Sequence, residues 1–217
     1  MTAPAQGRSA TRVLVVKLGA LGDFVQALGP FAAIRRHHAG ARITLLTTRP
    51  YAELAEASGS FDEVWIDRRS RLPTRLLALR RRLREAGFQR VYDLQTSDRT
   101  AFYFRLFWPG PYPEWSGIAR GCSHPHANPG RDAMHTLDRQ AEQLRMAGIE
   151  DVPPPDLSWA MPDVARFNLS GRYALLAAGG AAHRPGKRWP AKPAFSTSSG
   201  WPAARCRPSA TIPARCT

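Results

Sequence analysis

Arg12–Pro30 reads RVLVVKLGALGDFVQALGP, and this stretch decides the fold. Val13–Lys17 is a short, nearly continuous apolar run, the pattern of a strand buried on both faces. Leu18–Gly22 reads as a tight loop holding two glycines, Gly19 and Gly22, and Asp23 then opens a helix. In open α/β sheets, ligands sit where the carboxyl end of a strand passes into the next helix. Asp23 is the one carboxylate that local sequence puts at that end of the first strand.

The pattern repeats downstream. Asp23–His38 carries Phe24, Leu28, Phe31 and Ile34 at helical spacing, and Arg35, Arg36 and His37 suit its carboxyl end. Arg42–Thr47 (RITLLT) is a second buried strand, and Pro50 starts a short helix over Tyr51–Ala57. Phe61–Ile66 (FDEVWI) is a third strand. Pro73 begins an arginine-rich helix whose apolar stripe is Leu72, Leu76, Leu79 and Leu83, and Gly87 ends it. Phe88–Leu94 (FQRVYDL) is a fourth strand. Alternation at this spacing predicts right-handed βαβ units and a Rossmann-like parallel sheet.

Ser97–Trp108 (SDRTAFYFRLFW) is expected to be a helix lying on the sheet, with Phe102, Tyr103 and Phe104 in the core. Pro109–Pro129 reads as a long loop rich in Pro, Gly and His, and such loops are usually functional or mobile. His135–Ala147 is a further helix, with Leu137, Gln140, Ala141 and Leu144 inward and Gly148 as its stop. These elements make residues 12–150 one domain, after a disordered start over residues 1–11. Residues 151–165 are proline-rich and read as a linker. Arg172–Ala178 (RYALLAA) begins a strand again, followed by Gly179, Gly180, Gly186, Lys187 and Pro190. Residues 166–191 are therefore expected to be the first strand and loop of a second, incomplete Rossmann-like domain. Beyond Ala191 hydrophobic periodicity stops. Residues 192–217 read as a disordered tail, with a change of reading frame near Ala191 as the expected cause and natural disorder as the other reading.

The formal net charge of +14 over 217 residues favours phosphate-bearing, nucleic-acid or anionic-lipid partners. Nine arginines fall within Arg68–Arg90. That segment reads either as a solvated helix face or as a surface resting on anionic headgroups. Three scattered cysteines, Cys122, Cys206 and Cys216, support neither a disulfide framework nor a metal site. No apolar run is long enough to cross a membrane, and a cytoplasmic protein is expected.

RVLVVKLGALGD at Arg12–Asp23, YDLQTSDRT at Tyr92–Thr100 and HRPGKRWPA at His183–Ala191 together resemble the ADP-heptose:lipopolysaccharide heptosyltransferases, the family nine glycosyltransferases. The resemblance implies a GT-B fold, with two Rossmann-like domains facing across a cleft, of which this chain holds the amino-terminal half. It implies inverting, metal-independent transfer of a heptose or related sugar from a nucleotide-diphosphate sugar, such as ADP-heptose, to a lipid-linked or phosphorylated saccharide acceptor of the lipopolysaccharide inner core. By the same resemblance Asp23 is the general base, Lys187 meets the donor diphosphate, and Gly19 and Gly22 shape the acceptor loop; Arg188, beside Lys187, reads as further positive charge for the leaving diphosphate. No cofactor and no nucleic acid are expected. A peripheral place at the inner face of the inner membrane, through Arg68–Arg90, follows as an expectation. A truncated chain of this kind is expected to transfer little or nothing.

Physical chemistry gives each residue a plainer reading as well. Asp23 can serve as a base for an attacking hydroxyl, or only stabilise a helix start. Lys17 can pair with Asp23, meet an anionic acceptor, or be a solvated strand end. Asp93, Gln95, Thr96 and Ser97 follow the fourth strand on the same sheet edge, where they bind sugar hydroxyls or cap the next helix. His124, His126 and His135 match no metal-ligand spacing. The competing function is a non-catalytic basic α/β module that holds nucleic acid or a phosphorylated ligand.

Overall fold

The computed structural model describes residues 10–160. Six strands form one parallel sheet: β1 (Arg12–Val16), β2 (Arg42–Thr47), β3 (Glu63–Ile66), β4 (Arg90–Asp93), β5 (Glu114–Gly117) and β6 (His124–Pro125). Their order is β3-β2-β1-β4-β5-β6, so the chain reverses direction across the sheet between β1 and β4. This is the Rossmann arrangement, with its switch point at those two strands. Register is fixed by the pleat: Val13 and Val15 enter one core with Ile43, Leu45 and Tyr92, while Leu14 and Val16 enter the other with Leu46, Val91 and Trp115. A strand buried on both faces has no polar alternation, which explains its apolar run.

Six helices cover the sheet: α1 (Leu21–Gln26), α2 (Leu28–His37), α3 (Ala52–Ala57), α4 (Pro73–Glu85), α5 (Asp98–Arg105) and α6 (Thr136–Arg145). α1, α2, α3 and α6 supply side chains to the Val13 core, and α4 and α5 to the Trp115 core. No helix among the described residues is long and apolar enough to cross a membrane.

Several expectations need correction. The single helix over Asp23–His38 is two helices meeting at Ala27. The first starts at Leu21, so Gly22 belongs to a helix and not to the loop. The long loop 109–129 contains β5 and β6, which extend the sheet beyond β4. Both are too short to show a period of their own. Phe102 is exposed, and only Tyr103 of the aromatic run is fully buried. Leu72 is exposed at the N-cap of α4, and of the expected stripe only Leu83 is buried, with Leu79 packed against the core. The first part of the expected linker packs on the domain. Val152 joins the Val13 core, and a Cβ on Gly29 would fall 2.0 Å from the Pro153 carbonyl oxygen. Glycine at position 29 is what lets that strand of chain lie on α2. Residues 1–9 and 161–217 lie outside the described residues. The expected second-domain start, its tail, Lys187 and Arg188 fall there.

Candidate functional site

Three strand ends are tied together at the carboxyl edge. The Leu18 N–H donates to Gln95 Oε1 at 2.8 Å, and Thr48 Oγ1 donates to the Leu18 carbonyl at 3.0 Å. The segments after β1, β2 and β4 are thus one hydrogen-bonded unit. Gly19 has φ +127°, and an added Cβ would lie 2.6 Å from the Tyr51 ring. Both the backbone angle and the close approach exclude other residues. Gly22 is different: open space surrounds it and its φ is ordinary for any residue.

Asp23 is the third residue of α1, and its Oδ2 accepts from the Ala20 N–H at 3.3 Å. It is exposed and lines a cleft of about 870 Å³ with Gly19, Arg49, Asp67, Arg69 and Gln95. The helix start holds its carboxylate at the rim, beside the Ala20 N–H. Its carboxylate is thus fixed at the mouth of a concave site, free to reach a ligand there.

The cleft is also lined from the β3 end, by Asp67, Arg68 and Arg69. Asp67 Oδ2 accepts from the Tyr103 hydroxyl at 2.5 Å, and its Oδ1 accepts from the Arg69 N–H at 2.7 Å. Burial and the Asp67 carboxylate raise the Tyr103 hydroxyl well above its ordinary pKa, so it stays protonated and donating. Arg69 is thereby held at φ 51°. The other non-glycine residue with positive φ among the described residues is Thr96, at φ 45°, and its N–H donates to Asp93 Oδ1 at 3.1 Å. Both unusual conformations thus follow strands at the carboxyl edge, each held by a strand-end aspartate. Such conformations cost of order 1–3 kcal/mol and tend to collect at functional sites. The signal for Asp67 and Arg69 was available: β3 lies two strands from β1 in a 3-2-1-4 order, so its end meets the same crevice.

Lys17 is neither a solvated strand end nor a cleft residue. It is 3% exposed, and its ammonium donates to the Leu94 carbonyl at 3.1 Å. Burial lowers its pKa to about 8, with the field of Arg139 adding to that and those of Asp23 and Asp93 opposing it. Asp93 is fully buried, with Oδ1 accepting from the N–H groups of Gln95 and Thr96 and Oδ2 unpartnered among the described residues. Burial pushes its pKa up to about 6. Its side chain is shut off from solvent, and its Oδ1 shapes the turn that presents Gln95. Ser97 caps α5, accepting from the Thr100 N–H. The site thus brings together Gly19, Asp23 and Gln95, and leaves Lys17, Gly22 and Ser97 outside the cleft lining.

The three histidines do not converge. His124 faces Arg90 at 2.9 Å, His126 is buried with Glu142 at 3.9 Å, and His135 caps α6. Among the described residues no group of three His, Cys, Asp or Glu side chains is placed to hold a metal ion.

Fold and cleft define a Rossmann-type α/β domain with a polar crevice beside its topological switch point. Its structural likeness is to family nine glycosyltransferases. The glycosyl transferase family 9 protein from Veillonella parvula DSM 2008 superposes with a TM-score of 0.56 at 20% identity, over 70% of this chain and 45% of that one. Escherichia coli ADP-heptose lipopolysaccharide heptosyltransferase II gives 0.54 at 15% identity, over 74% and 51%. E. coli heptosyltransferase WaaC, solved with ADP-2-deoxy-2-fluoro heptose, gives 0.51 at 19% identity, over 69% and 53%. At such identity the likeness is one of fold, and the chain spans about half the length of these proteins. No family model matches the sequence, and no curated protein matches it.

Proposed function

We propose that this chain provides the acceptor side of a glycosyltransferase. The reaction is inverting, metal-independent transfer of a heptose or related sugar from a nucleotide-diphosphate donor to a phosphorylated, lipid-linked saccharide of the lipopolysaccharide inner core. The observation that carries the reading is Asp23, held by the first turn of α1 at the mouth of the 870 Å³ cleft. Transfer needs a carboxylate within hydrogen-bond reach of the attacking hydroxyl, and an acceptor in this cleft meets one. Gln95, bridged to the Leu18 N–H through its oxygen, presents its amide nitrogen to a sugar oxygen. Arg49 and Arg69 face an acceptor's anionic groups. The solved WaaC complex with an ADP-heptose analogue supports a nucleotide-sugar donor. In this reading Lys187 and Arg188 receive the leaving diphosphate, since a departing anion needs fixed positive charge.

The mechanism follows from these placements. As the acceptor hydroxyl attacks the anomeric carbon, Asp23 takes its proton. The nucleotide diphosphate leaves from the opposite face of the sugar, so configuration inverts.

The test is transfer from ADP-heptose to a phosphorylated inner-core acceptor. It is measured for the 217-residue chain and for a version continued in the alternative reading frame from Ala191. In the continued protein, Asp23→Asn is expected to lower the rate about 10²–10⁴-fold with the fold unchanged. Undiminished transfer by the Asn form removes Asp23 from the chemistry. Tight, steeply salt-dependent DNA binding without saccharide binding would favour a non-catalytic basic module.

A further inference from the structure

Tyr51 ends the single helical turn Arg49–Tyr51 after β2, and the fold explains its ring but not its hydroxyl. The ring stacks on Phe24 with centroids 5.3 Å apart and planes 18° from parallel, and Phe24 is fully buried in the Val13 core. The Tyr51 N–H donates to the Thr48 carbonyl at 3.0 Å, and Thr48 is itself bonded to Leu18. The turn is therefore fixed from both sides. The outer end of the ring lies over Gly19: a Cβ there would fall 2.6 Å from Cε2 and 3.0 Å from the hydroxyl oxygen. Phenylalanine would make the same stack. The hydroxyls of Tyr92 and Tyr103 are bonded, to His38 and Asp67, whereas that of Tyr51 has no partner among the described residues. Tyr51 lines the cleft with Asp23 and Gln95. Its hydroxyl lies over residue 19, and Asp23 Oδ2 is held by the N–H of residue 20, so both oxygens border one short stretch of loop.

We propose that Tyr51 is a substrate-binding residue whose hydroxyl meets a neutral hydroxyl of the acceptor saccharide. The inference rests on the glycosyltransferase reading above and adds to it a division of labour within the cleft. A phenol both donates and accepts, as a sugar hydroxyl does, so either partner can supply the proton. Arg49 and Arg69 only donate, which suits the acceptor's anionic groups. Phosphate alone is held by the arginines, and a polyhydroxylated ligand engages Tyr51 as well. The ring is already held by Phe24 and by the Thr48 turn before a ligand arrives, so little side-chain freedom is lost on binding.

The experiment is isothermal titration of the full 217-residue chain with two ligands, the phosphorylated inner-core saccharide freed of its acyl chains and inorganic phosphate. The wild-type chain is expected to prefer the saccharide. Tyr51→Phe keeps the ring, so its thermal unfolding is expected to match the wild type. Its affinity for the saccharide is expected to fall about three- to ten-fold, while its affinity for phosphate stays the same. Arg68→Gln with Arg69→Gln is expected to weaken both ligands. A wild-type chain with no preference for the saccharide overturns the saccharide reading of the cleft, and the role of Tyr51 with it. A preference that survives in full in Tyr51→Phe overturns the assignment of Tyr51 alone. So does an equal loss for both ligands, which ties the hydroxyl to the phosphate.

Discussion

The two edges of the sheet use the same residue type for opposite purposes. At the amino edge, arginines begin the strands and each finds an acceptor. Arg12 donates to the Ala86 carbonyl, Arg42 pairs with Glu63, and Arg90 meets Glu114 and the Ala147 carbonyl. At the carboxyl edge, the side chains of Arg49, Arg68 and Arg69 line the cleft without an acceptor among the described residues. Net charge cannot separate these groups. Partners do: a guanidinium with its hydrogen bonds satisfied holds the fold together, and one without them at a concave rim awaits an anion.

Exchanging the two edges by mutation tests this contrast most strongly. Arg90→Gln is expected to cost about 2 kcal/mol in denaturant unfolding, since it strips partners from a half-buried network. Arg68→Gln with Arg69→Gln is expected to leave unfolding unchanged and to weaken titration of a phosphorylated saccharide about ten-fold. Equal stability losses at both edges would erase the distinction.

A smaller effect concerns Asp93 at the carboxyl edge. Its pKa of about 6 lies above the ordinary 3.8, so the folded chain holds this proton more tightly than the unfolded chain. Its contribution is therefore most favourable below about pH 4 and is lost as pH rises to about 6. Asp93→Asn removes that slope, and unfolding curves for both proteins at pH 4, 5 and 7 measure it.

The smallest effect has the opposite sign and lies at the amino edge. His38 shares a 2.9 Å hydrogen bond with the Tyr92 hydroxyl. Burial, with His37 and Arg90 nearby, lowers its pKa from 6.5 to about 4. The unfolded chain therefore takes up this proton first, and stability is lost as pH falls from about 6.5 to 4. His38→Asn is expected to shrink that acid-side loss in the same unfolding series. A wild-type-like loss in the variant would assign it to other groups.

Much of this was legible from residue order. The apolar run of β1, the glycine at 19 and the carboxylate at 23 are local features, and local features are what periodicity and turn chemistry report. Gln95 was legible for the same reason, as a residue following a strand at the ligand-facing edge. The misreadings share a cause. Phe102, Tyr103 and Phe104 are all aromatic, so composition could not say which one the helix turns inward. β5 and β6 are four and two residues long and exist through pairing with β4 and each other. Lys17 reads as a strand end, but the packing above it removes it from water.

By itself the sequence determined the parallel α/β pattern, the loop that needs glycine at 19 and the carboxylate that follows it. Those depend on contacts between residues a few positions apart. Tertiary structure alone decided which cations remain available, which carboxylate is buried and which strand ends share the cleft with Asp23. Each of these depends on a partner far along the chain, as Gln95 is from Leu18 and Ala147 is from Arg90. Burial and hydrogen bonding are properties of that assembled neighbourhood, and they decide which groups are left exposed in the cleft.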